Sequence, residues 1–224
     1  MRPRIAIDGP VSAGKSTIAR LVAQRLGFTY IDTGAMYRAF AWTAQRRGLS
    51  SAQPEEAVRL LGEVEIRLLP RHEGGNQVLV DGADITDEIR TPEIGQLASQ
   101  LSEIPAVRVR MVALQQEMAR DGGVVMEGRD IQTVVLPDAE VKIFLIAPAE
   151  ERARRRCLEL QQRGLAYDLD SVLVELQARD LRDSTRAHSP LKAAPDAVTV
   201  DTGGLTIAQV VDRVLTVVLE KTDA

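Results

Sequence analysis

Apolar positions along the chain recur in blocks that predict alternating strands and helices. A short apolar run at residues 5–7 leads into a loop, and beyond it Ile18, Leu21, Val22 and Leu26 recur at the spacing of one helix face. Further apolar runs predict strands at residues 28–31, 124–126, 141–146 and 198–200. Helical patterns fill the intervals at residues 35–47, 54–61, 105–120, 149–163, 168–186 and 206–220, and another helix begins at Thr91-Pro92-Glu93. This order predicts an α/β fold in which a five-stranded parallel sheet is flanked by helices.

Residues 63–90 interrupt that alternation. Residues 64–69 and 77–80 have the alternating pattern of strands, and Glu73-Gly74-Gly75-Asn76 and Asp81-Gly82 have the composition of turns. A small antiparallel sheet inserted beside the main sheet is therefore expected. The whole chain is expected to divide into a core at residues 1–32, 121–150 and 188–224, a second region at about residues 33–120 that carries the insertion, and a third at about residues 151–187.

The loop after the first strand reads Gly9-Pro10-Val11-Ser12-Ala13-Gly14-Lys15-Ser16 and fits the spacing G-x-x-x-x-G-K-[ST]. In such a loop backbone N–H groups cradle phosphates, the lysine reaches the terminal phosphates and the last hydroxyl binds Mg²⁺. The helix that follows adds positive partial charge beneath the phosphate. The sequence thus predicts a nucleotide-binding P-loop protein. The residues expected to contact the triphosphate are Gly9, Pro10, Val11, Ser12, Ala13, Gly14, Lys15, Ser16 and Thr17.

Composition narrows the class of protein further. The chain has 224 residues and a formal net charge of −4, which argues against a protein that coats nucleic acid. Its apolar runs are shorter than a membrane span, and the first strand begins too close to Met1 to leave room for a signal peptide. A cytoplasmic protein without membrane or nucleic-acid partners is therefore expected. The single cysteine, Cys157, is expected to be an unreactive helix residue.

Polar residues cluster where two of the predicted strands end. Asp32, Thr33, Tyr37 and Arg38 follow the second strand of the main sheet, and Glu127-Gly128-Arg129-Asp130 follows the third along the chain. Because the carboxyl ends of parallel strands meet at one edge of a sheet, both clusters are expected to face the phosphate loop. Burying two acids and an arginine together is costly without a ligand, so a functional role is favoured for the second cluster. For Tyr37 and Arg38 alone, a half-buried aromatic beside a surface arginine is an equal alternative.

Clustered arginines indicate a second anionic ligand. Arg179, Arg182 and Arg186 recur at i, i+3 and i+7 on one predicted helix, with Asp183 in the same turn. That spacing also suits a solvated, salt-bridged helix face. The other arginines of interest are Arg38, Arg108, Arg129, Arg152, Arg154, Arg155 and Arg156. The set is larger than one triphosphate needs, and guanidinium groups grip phosphate oxygens in pairs.

The two histidines stand apart from these clusters, His72 in the insertion turn and His188 in a loop. Both are expected to be structural or solvated. Transfer of a phosphoryl group to an alcohol calls for a base, whereas transfer to an ionised phosphate calls only for positioning and charge neutralisation. An arginine-rich site without histidine therefore favours a phosphate as the acceptor.

Several longer motifs match a known family in order and spacing. They are Ile7-Asp8-Gly9-Pro10, Asp32-Thr33-Gly34-Ala35-Met36-Tyr37-Arg38, Glu88-Ile89-Arg90-Thr91, Gly128-Arg129-Asp130 with Thr133-Val134-Val135 and Pro137-Asp138-Ala139, and Arg179-Asp180 with Arg182-Asp183 and Arg186. Through them the chain resembles the bacterial cytidylate kinases, nucleoside monophosphate kinases of the P-loop class, along nearly its whole length. The resemblance implies transfer of the γ-phosphoryl group of ATP to CMP or dCMP, with Mg²⁺, in pyrimidine metabolism. It also implies a monomer.

The same resemblance assigns roles by motif position. It implies that the acceptor phosphate is held by Tyr37, Arg38, Arg129 and Arg186. It implies that cytosine is read by Ser99, Arg108 and Asp130, that Thr33 lines this site, and that Arg179 and Asp183 contact the sugar. The implied catalytic residues are Lys15, Arg129, Arg152, Arg156 and Arg186, with Ser16 on Mg²⁺ and Glu127 reaching it through water. Residues 33–120 then form the monophosphate-binding domain and residues 151–187 the lid.

Base chemistry agrees with this assignment. Cytosine presents an N4 amino donor beside N3 and O2 acceptors, so a carboxylate with a guanidinium suits its edge. Uracil would instead place an acceptor opposite Asp130.

The chain departs from the family pattern at three places. Val11-Ser12 stands where relatives usually carry a serine and a small residue, which bears on the shape of the phosphate loop. Gln132 stands where a glycine is common after Gly128-Arg129-Asp130. Glu127 occupies a position where aspartate is frequent, and either acid suits an outer-shell role at Mg²⁺.

Two other functions stay open from the sequence. The first is a P-loop kinase for another small acceptor, UMP or a shikimate-like alcohol, with Asp32 as the base in the latter case. The second is a nucleotide-dependent switch, because Asp201-Thr202-Gly203-Gly204 matches D-x-x-G, although this segment is expected to lie far from the phosphate loop. A non-catalytic interaction module is disfavoured because Lys15 and Ser16 are both present.

Overall fold

The computed structural model describes residues 2–71 and 74–222. Its strands are β1 (Arg4–Asp8), β2 (Thr29–Asp32), β3 (Ile66–Pro70), β4 (Asn76–Val80), β5 (Ala83–Asp84), β6 (Val124–Gly128), β7 (Val141–Ile146) and β8 (Val198–Asp201). Its α-helices are α1 (Lys15–Leu26), α2 (Thr33–Arg46), α3 (Pro54–Glu63), α4 (Pro92–Leu101), α5 (Pro105–Met118), α6 (Ala149–Gln162), α7 (Leu169–Thr185) and α8 (Ile207–Thr222). A 3₁₀ turn at Glu88–Arg90 and a π-helical turn at Ile131–Val135 complete the described elements.

Five parallel strands form the main sheet, in the spatial order β2-β6-β1-β7-β8. The central strands are apolar on both faces, as buried parallel strands are, and Ile5, Ile7 and Ile143 are fully shielded from solvent. Helices α1 and α8 cover one face through residues such as Val22 and Val214. The predicted α/β fold with a five-stranded parallel sheet is confirmed.

The insertion forms a separate antiparallel sheet in the order β3-β4-β5. Phe40 of α2 belongs to the same buried cluster as Val78 and Val80, so the insertion rests on the helix that follows β2. This confirms the predicted antiparallel unit. The predicted turn residues His72 and Glu73 lie outside the described residues, and Asn76 is the first residue of β4 rather than the end of that turn.

Helices α6 and α7 pack against each other around a small core of their own. Ala153, Cys157 and Leu160 of α6 meet Val172 and Leu176 of α7. Cys157 is a free, buried thiol on a helix, as the sequence predicts. The side chain of Val11 packs against the same core, so the phosphate loop touches this helical pair.

Two of the boundaries that differ from the predicted ones have local structural reasons. Helix α2 begins at Thr33, two residues before the predicted start, because the Asp32 carboxylate accepts a hydrogen bond from the Ala35 N–H at 2.8 Å and caps the first turn. Strand β6 continues through Gly128, because Glu127 and Gly128 pair in register with Ile7 and Asp8 of β1.

Within residues 2–71 and 74–222, every helix is too short or too polar to traverse a lipid bilayer.

Candidate active site

A cleft of about 710 Å³ opens at the carboxyl ends of β1, β2 and β6. Its walls come from the phosphate loop, from α2, α4 and α5, and from α6 and α7. Among the described residues, eleven cationic side chains and six carboxylates line it, although the chain as a whole has a formal net charge of −4. The cleft is therefore a concentrated positive site on an acidic protein, which suits anionic ligands.

The phosphate loop is shaped by close backbone packing. A Cβ on Gly9 would overlap the carbonyl oxygen of Leu145 in β7, so only glycine fits there. Ser12 adopts a left-handed conformation with φ of 57°, and Gly14, also left-handed, precedes α1. Six of the predicted triphosphate residues line the cleft, namely Val11, Ser12, Gly14, Lys15, Ser16 and Thr17, whereas Gly9, Pro10 and Ala13 form the back of the loop.

Lys15 is almost fully buried at the floor of the cleft. Its Nζ donates to the Pro10 carbonyl oxygen at 2.8 Å, which holds the side chain along the loop. Burial, together with the nearby Arg129 guanidinium, lowers the pKa of Lys15 to about 7. A phosphate anion beside the ammonium would oppose both effects, so this lysine is suited to anion binding.

Glu127 is buried near Ser16 at the same end of the cleft. The Tyr30 hydroxyl donates to Glu127 Oε1 at 2.8 Å and orients the carboxylate. Burial and the Asp32 carboxylate raise the pKa of Glu127, against the ammonium of Lys15 and the hydroxyls of Ser16 and Tyr30, which lower it. A hydroxyl and one carboxylate are oxygen donors of the kind Mg²⁺ prefers, so the residues fit that ion.

The described residues do not provide a complete set of metal ligands by themselves. Among the residues that the structure describes, no three His, Cys, Asp or Glu side chains are grouped as metal ligands. An ion at Ser16 would therefore take most of its ligands from phosphate and water, as Mg²⁺ commonly does.

Tyr30, which orients Glu127, was not predicted from the sequence as a site residue. Its hydroxyl within an otherwise apolar strand is the signal that could have found it, since a buried tyrosine usually bonds a polar partner.

Asp32 is engaged in two structural contacts at the end of β2. One carboxylate oxygen caps α2, and the other pairs with Arg38 Nη2 at 2.9 Å. Thr33 is buried, and its hydroxyl donates to the Glu127 carbonyl oxygen at 2.7 Å. Asp32 thus aims Arg38 toward the cleft, which both residues line.

Asn76 of the insertion completes the free edge of β2. Its Oδ1 accepts from the Asp32 N–H at 3.0 Å, and its Nδ2 donates to the Tyr30 carbonyl oxygen at 2.9 Å. The side chain mimics a neighbouring strand and fixes the β2 tip. The sequence analysis placed Asn76 in a turn and missed this role, because nothing local marks a contact with residues 44 and 46 positions away.

A buried ion pair lies at the far end of the cleft. Arg108 Nη2 contacts Asp130 Oδ2, and both side chains are nearly inaccessible to solvent. Arg108 also lies over the Tyr37 ring, 5.9 Å from its centroid, and Arg186 Nη2 is 4.0 Å from Asp130 Oδ1. Ser99 is buried and also lines the cleft. Arg108, Arg186 and Tyr37, which are far apart in the sequence, therefore meet around Asp130.

Between the two ends, Arg129 Nε donates to Asp183 Oδ2 at 3.0 Å. Burial and the adjacent Arg129 lower the pKa of Arg179 to about 10. Burial alone would raise the pKa of Asp183, but Arg129 and Arg179 outweigh it and hold that pKa below its usual value. Burial and Arg108 likewise lower the pKa of Arg186. The guanidinium groups are crowded here, which favours a bound anion among them.

Some buried hydrogen-bond donors in the arginine-rich wall of the cleft are available to bind a ligand. Within the described part of the chain, the Tyr37 hydroxyl, Arg179 Nε and Arg186 Nη2 have no hydrogen-bond partner. Leaving buried donors unsatisfied is costly, so groups of this kind commonly serve a ligand. Burial also raises the pKa of Tyr37 to about 12, so its phenol stays protonated and can donate.

The predicted lid arginines separate into two kinds. Arg156 lines the cleft and pairs with Glu159 at 3.1 Å. Arg152 is not one of the described residues that line the cleft. Its Nη1 donates to the Val11 carbonyl oxygen at 3.2 Å and pairs with Asp180 at 2.6 Å, so it joins α6, α7 and the phosphate loop.

The prediction that Asp201-Thr202-Gly203-Gly204 lies far from the phosphate loop is wrong. The Thr202 hydroxyl donates to the Ala13 carbonyl oxygen at 3.3 Å and accepts from Arg155 Nη1 at 2.9 Å. The parallel order of the sheet brings the end of β8 to the same edge as the end of β1. The Asp201 carboxylate accepts from the Gly203 N–H at 2.8 Å and closes a local turn, and neither residue lines the described cleft.

Gly128 lies where β6 passes closest to the start of α2. A Cβ on this residue would lie 2.7 Å from Thr33 Oγ1 and 2.7 Å from Ile131 Cδ1. We expect Gly128→Ala to destabilise the fold by about 1–3 kcal/mol, because both neighbours are buried and must move. Urea denaturation measures the change.

The matched control for Gly128→Ala is Gly62→Ala in α3. No described atom lies within 4 Å of a Cβ at Gly62, and the position is helical. This control is expected to be neutral or to stabilise by up to about 1 kcal/mol. Equal effects of the two substitutions would contradict the close packing inferred at Gly128.

Comparisons with known proteins show which family the chain resembles in sequence. The sequence model of a family described as "Cytidylate kinase" matches residues 5–220. A cytidylate kinase of Syntrophotalea carbinolica is 50% identical over 97% of this chain and 92% of its own length. Those of Desulfitobacterium hafniense and Pelotomaculum thermopropionicum are 50% and 51% identical, over 98% and 95% of this chain and 94% of each relative.

One solved structure shows a similar fold at low sequence identity. An uncharacterized protein from Eubacterium ventriosum has a TM-score of 0.53 at 12% identity, with 96% of this chain and 97% of that chain covered. At this identity the likeness concerns the fold alone.

Proposed function

The chain belongs to the cytidylate kinase family, and on that premise we propose that its cleft transfers the γ-phosphoryl group of ATP to CMP or dCMP. The products are ADP and CDP or dCDP. The phosphate loop at one end of the cleft would hold the donor, and the arginine-rich wall at the other end would hold the acceptor.

The observation that carries this proposal is the buried Arg108–Asp130 pair at the acceptor end. A carboxylate can accept from the N4 amino group of cytosine, while a guanidinium can donate to its N3 or O2. Ser99 and Thr33 also line the cleft and would complete the base pocket. A site whose buried polar groups match one base rejects a base that leaves them unpaired.

Around the base pocket, the cationic side chains would bind the acceptor phosphate and its sugar. Arg38, Arg129, Arg186 and the Tyr37 hydroxyl would hold the phosphate, and Arg179 and Asp183 would contact the ribose or deoxyribose. The donors on Tyr37, Arg179 and Arg186 that find no partner among the described residues support this use.

On the donor side, the residues from Gly9 to Thr17 would cradle the triphosphate, with Lys15 at its β and γ phosphates. Ser16 directly and Glu127 through water would hold Mg²⁺. The ion supplies charge neutralisation for the phosphates during transfer. Arg156 would approach the transferring group from the lid, whereas Arg152 would act by positioning the phosphate loop.

The reaction would need no general base from the protein. An oxygen of the acceptor phosphate is already ionised, so it can attack Pγ while the bond between Pγ and the bridging oxygen breaks and ADP leaves. Asp32 is occupied by Arg38 and the cap of α2, which is consistent with a structural role.

The region from 33 to 120 would then act as the monophosphate-binding domain and residues 151–187 as a lid over the donor. We further propose a monomer, as the family resemblance implies, that acts in the cytoplasm, as the sequence composition suggests. Sedimentation velocity of the active protein measures its oligomeric state.

The proposed function is tested by ADP release with Mg²⁺ and ATP across CMP, dCMP, UMP, AMP and shikimate. We expect kcat/KM for CMP or dCMP to exceed that for each of the other three by about a hundredfold or more. Equal or better turnover of UMP, AMP or shikimate would refute the cytosine assignment.

Asp32→Asn separates the proposed reaction from transfer to an alcohol. Asparagine keeps the oxygen that caps α2 but loses the charge that holds Arg38. We expect kcat with CMP to change by less than about threefold and KM for CMP to rise about tenfold. A general base at this position would instead cost about 10²–10⁴ in kcat.

The control for Asp32→Asn is Asp168→Asn, which alters the equivalent cap of α7 at an exposed site. It is expected to leave both kinetic constants near those of the wild type. A loss of kcat in Asp32→Asn alone would favour the alcohol-kinase alternative.

A further inference from the structure

Asp8 is a fully buried carboxylate at the end of β1, immediately before the phosphate loop. Its Oδ1 accepts from the Ile131 N–H at 3.0 Å, and its Oδ2 accepts from the Gln132 N–H at 2.9 Å. Burial raises its pKa to about 7, and the two N–H groups oppose that rise. A buried acid that directly joins two remote segments calls for an explanation beyond packing.

The two N–H groups belong to the start of the π-helical turn at Ile131–Val135. The first N–H groups of a helical turn lack partners within the turn. The Asp130 side chain does not supply them, because it faces Arg108. Asp8 thus serves as a cap that is delivered from a strand 123 positions earlier in the chain.

The π-helical turn also fixes the backbone of Asp130. The Asp130 carbonyl oxygen accepts from the Val134 N–H at 2.9 Å and from the Val135 N–H at 3.2 Å. The direction of the Asp130 carboxylate toward Arg108 and Arg186 therefore depends on where Asp8 holds the turn.

Gln132 secures the same turn from the opposite side. Its Nε2 donates to the Ile143 carbonyl oxygen at 3.1 Å, and its Oε1 accepts from the Ala194 N–H at 2.9 Å. The side chain is buried, so the glutamine that departs from the family pattern fills an internal position. With one edge fixed by Gln132, removal of the Asp8 contacts would tilt the turn rather than release it.

We propose that Asp8 is a positioning residue for base selectivity, which acts on Asp130 through the turn and touches neither substrate. This inference rests on the proposed function, since selectivity is measured as the ratio of kcat/KM for CMP to that for UMP. A purely structural role for Asp8 would lower stability and leave that ratio unchanged.

Asp8→Asn tests the inference because it keeps the size of the side chain. The amide can accept from only one of the two N–H groups and sets its own NH₂ against the other. We expect KM for CMP to rise about tenfold or more, KM for ATP to change by less than about threefold, and the CMP-to-UMP ratio to fall about tenfold. Asp8→Ser, which retains one small acceptor, gives the same readout if the first variant does not fold.

The matched control is Thr43→Val in α2. The Thr43 hydroxyl is buried and donates to the Ala39 carbonyl oxygen at 3.0 Å, outside the described lining of the cleft. This variant loses a buried hydrogen bond and is expected to lower Tm without changing the CMP-to-UMP ratio.

A double variant identifies the path of the effect. If Asp8 acts through Asp130, adding Asp8→Asn to Asp130→Asn should not lower the ratio further. Additive effects on the ratio, or an Asp8→Asn enzyme that keeps the wild-type ratio, would overturn the inference alone. A wild-type enzyme without any preference for CMP would overturn the proposed function and this inference together.

Discussion

Replacing Lys15 by methionine is expected to lower kcat about 10²–10³-fold with CMP as the acceptor. The Lys15 ammonium is buried at the floor of the cleft and is held along the phosphate loop by the Pro10 carbonyl oxygen. Methionine keeps the length and apolar stem of the side chain but removes the charge. The loss should fall mainly on kcat, because charge moves toward the bridging oxygen of ATP only as the transfer proceeds.

A second buried lysine provides the control for Lys15→Met. Lys142 donates to the Pro137 carbonyl oxygen at 2.6 Å and pairs with Asp196 at 2.8 Å, outside the described cleft. Lys142→Met should lower Tm, since Asp196 loses its partner, and should leave kcat within about threefold of the wild type. Steady-state ADP release and calorimetric Tm are measured on both variants. Comparable losses of kcat would mean that Lys15 contributes to stability and not to the transfer.

Much of the fold and of the site follows from local patterns. The strand-loop-helix order around Lys15 predicts the phosphate loop, and the polar residues after the strands predict the edge where the cleft opens. Parallel strands place their carboxyl ends together, so Asp32, Glu127 and Asp130 could be brought to one site without a structure.

The contacts that arrange those residues could not be predicted in the same way. Tyr30 bonds Glu127 across 97 positions, Asn76 bonds Asp32 across 44, and Asp8 bonds Gln132 across 124. Each depends on the exact packing of two segments rather than on the spacing within one. The turn at Ile131–Val135 was likewise unpredicted, because its first N–H groups are capped from another strand.

Electrostatic interactions in the cleft explain how so many arginines can lie close together in the folded protein. Burial and the nearby Arg129 lower the pKa of Arg179, and the Asp183 carboxylate opposes that effect. The carboxylates hold the guanidinium groups in place and offset part of the positive charge of the site. A phosphate dianion would relieve the remaining repulsion, so the acceptor itself would complete the charge balance.

Asp130→Asn is expected to lower kcat/KM for CMP about a hundredfold while KM for ATP stays within about threefold of the wild type. The Asp130 carboxylate would accept from the N4 amino group of cytosine, and Arg108 holds it in that direction. With asparagine the oxygen and the NH₂ group can exchange places, so the pocket no longer distinguishes a donor from an acceptor on the base. UMP should lose far less activity, and the CMP-to-UMP ratio should fall toward one.

The same substitution leaves the buried Arg108 without its counter-charge, so a loss of about 3–5 kcal/mol in stability is expected beside the loss of selectivity. Asp196→Asn is the control, because it also removes one partner of an ion pair with a buried cation but lies outside the described cleft. It should lower Tm and preserve the CMP-to-UMP ratio. The two effects of Asp130→Asn are separated by assaying well below its Tm, where the folded fraction is complete. If CMP and UMP then lose activity equally, Asp130 supports the pocket without reading the base, and the recognition of cytosine must lie with Arg108 and Ser99.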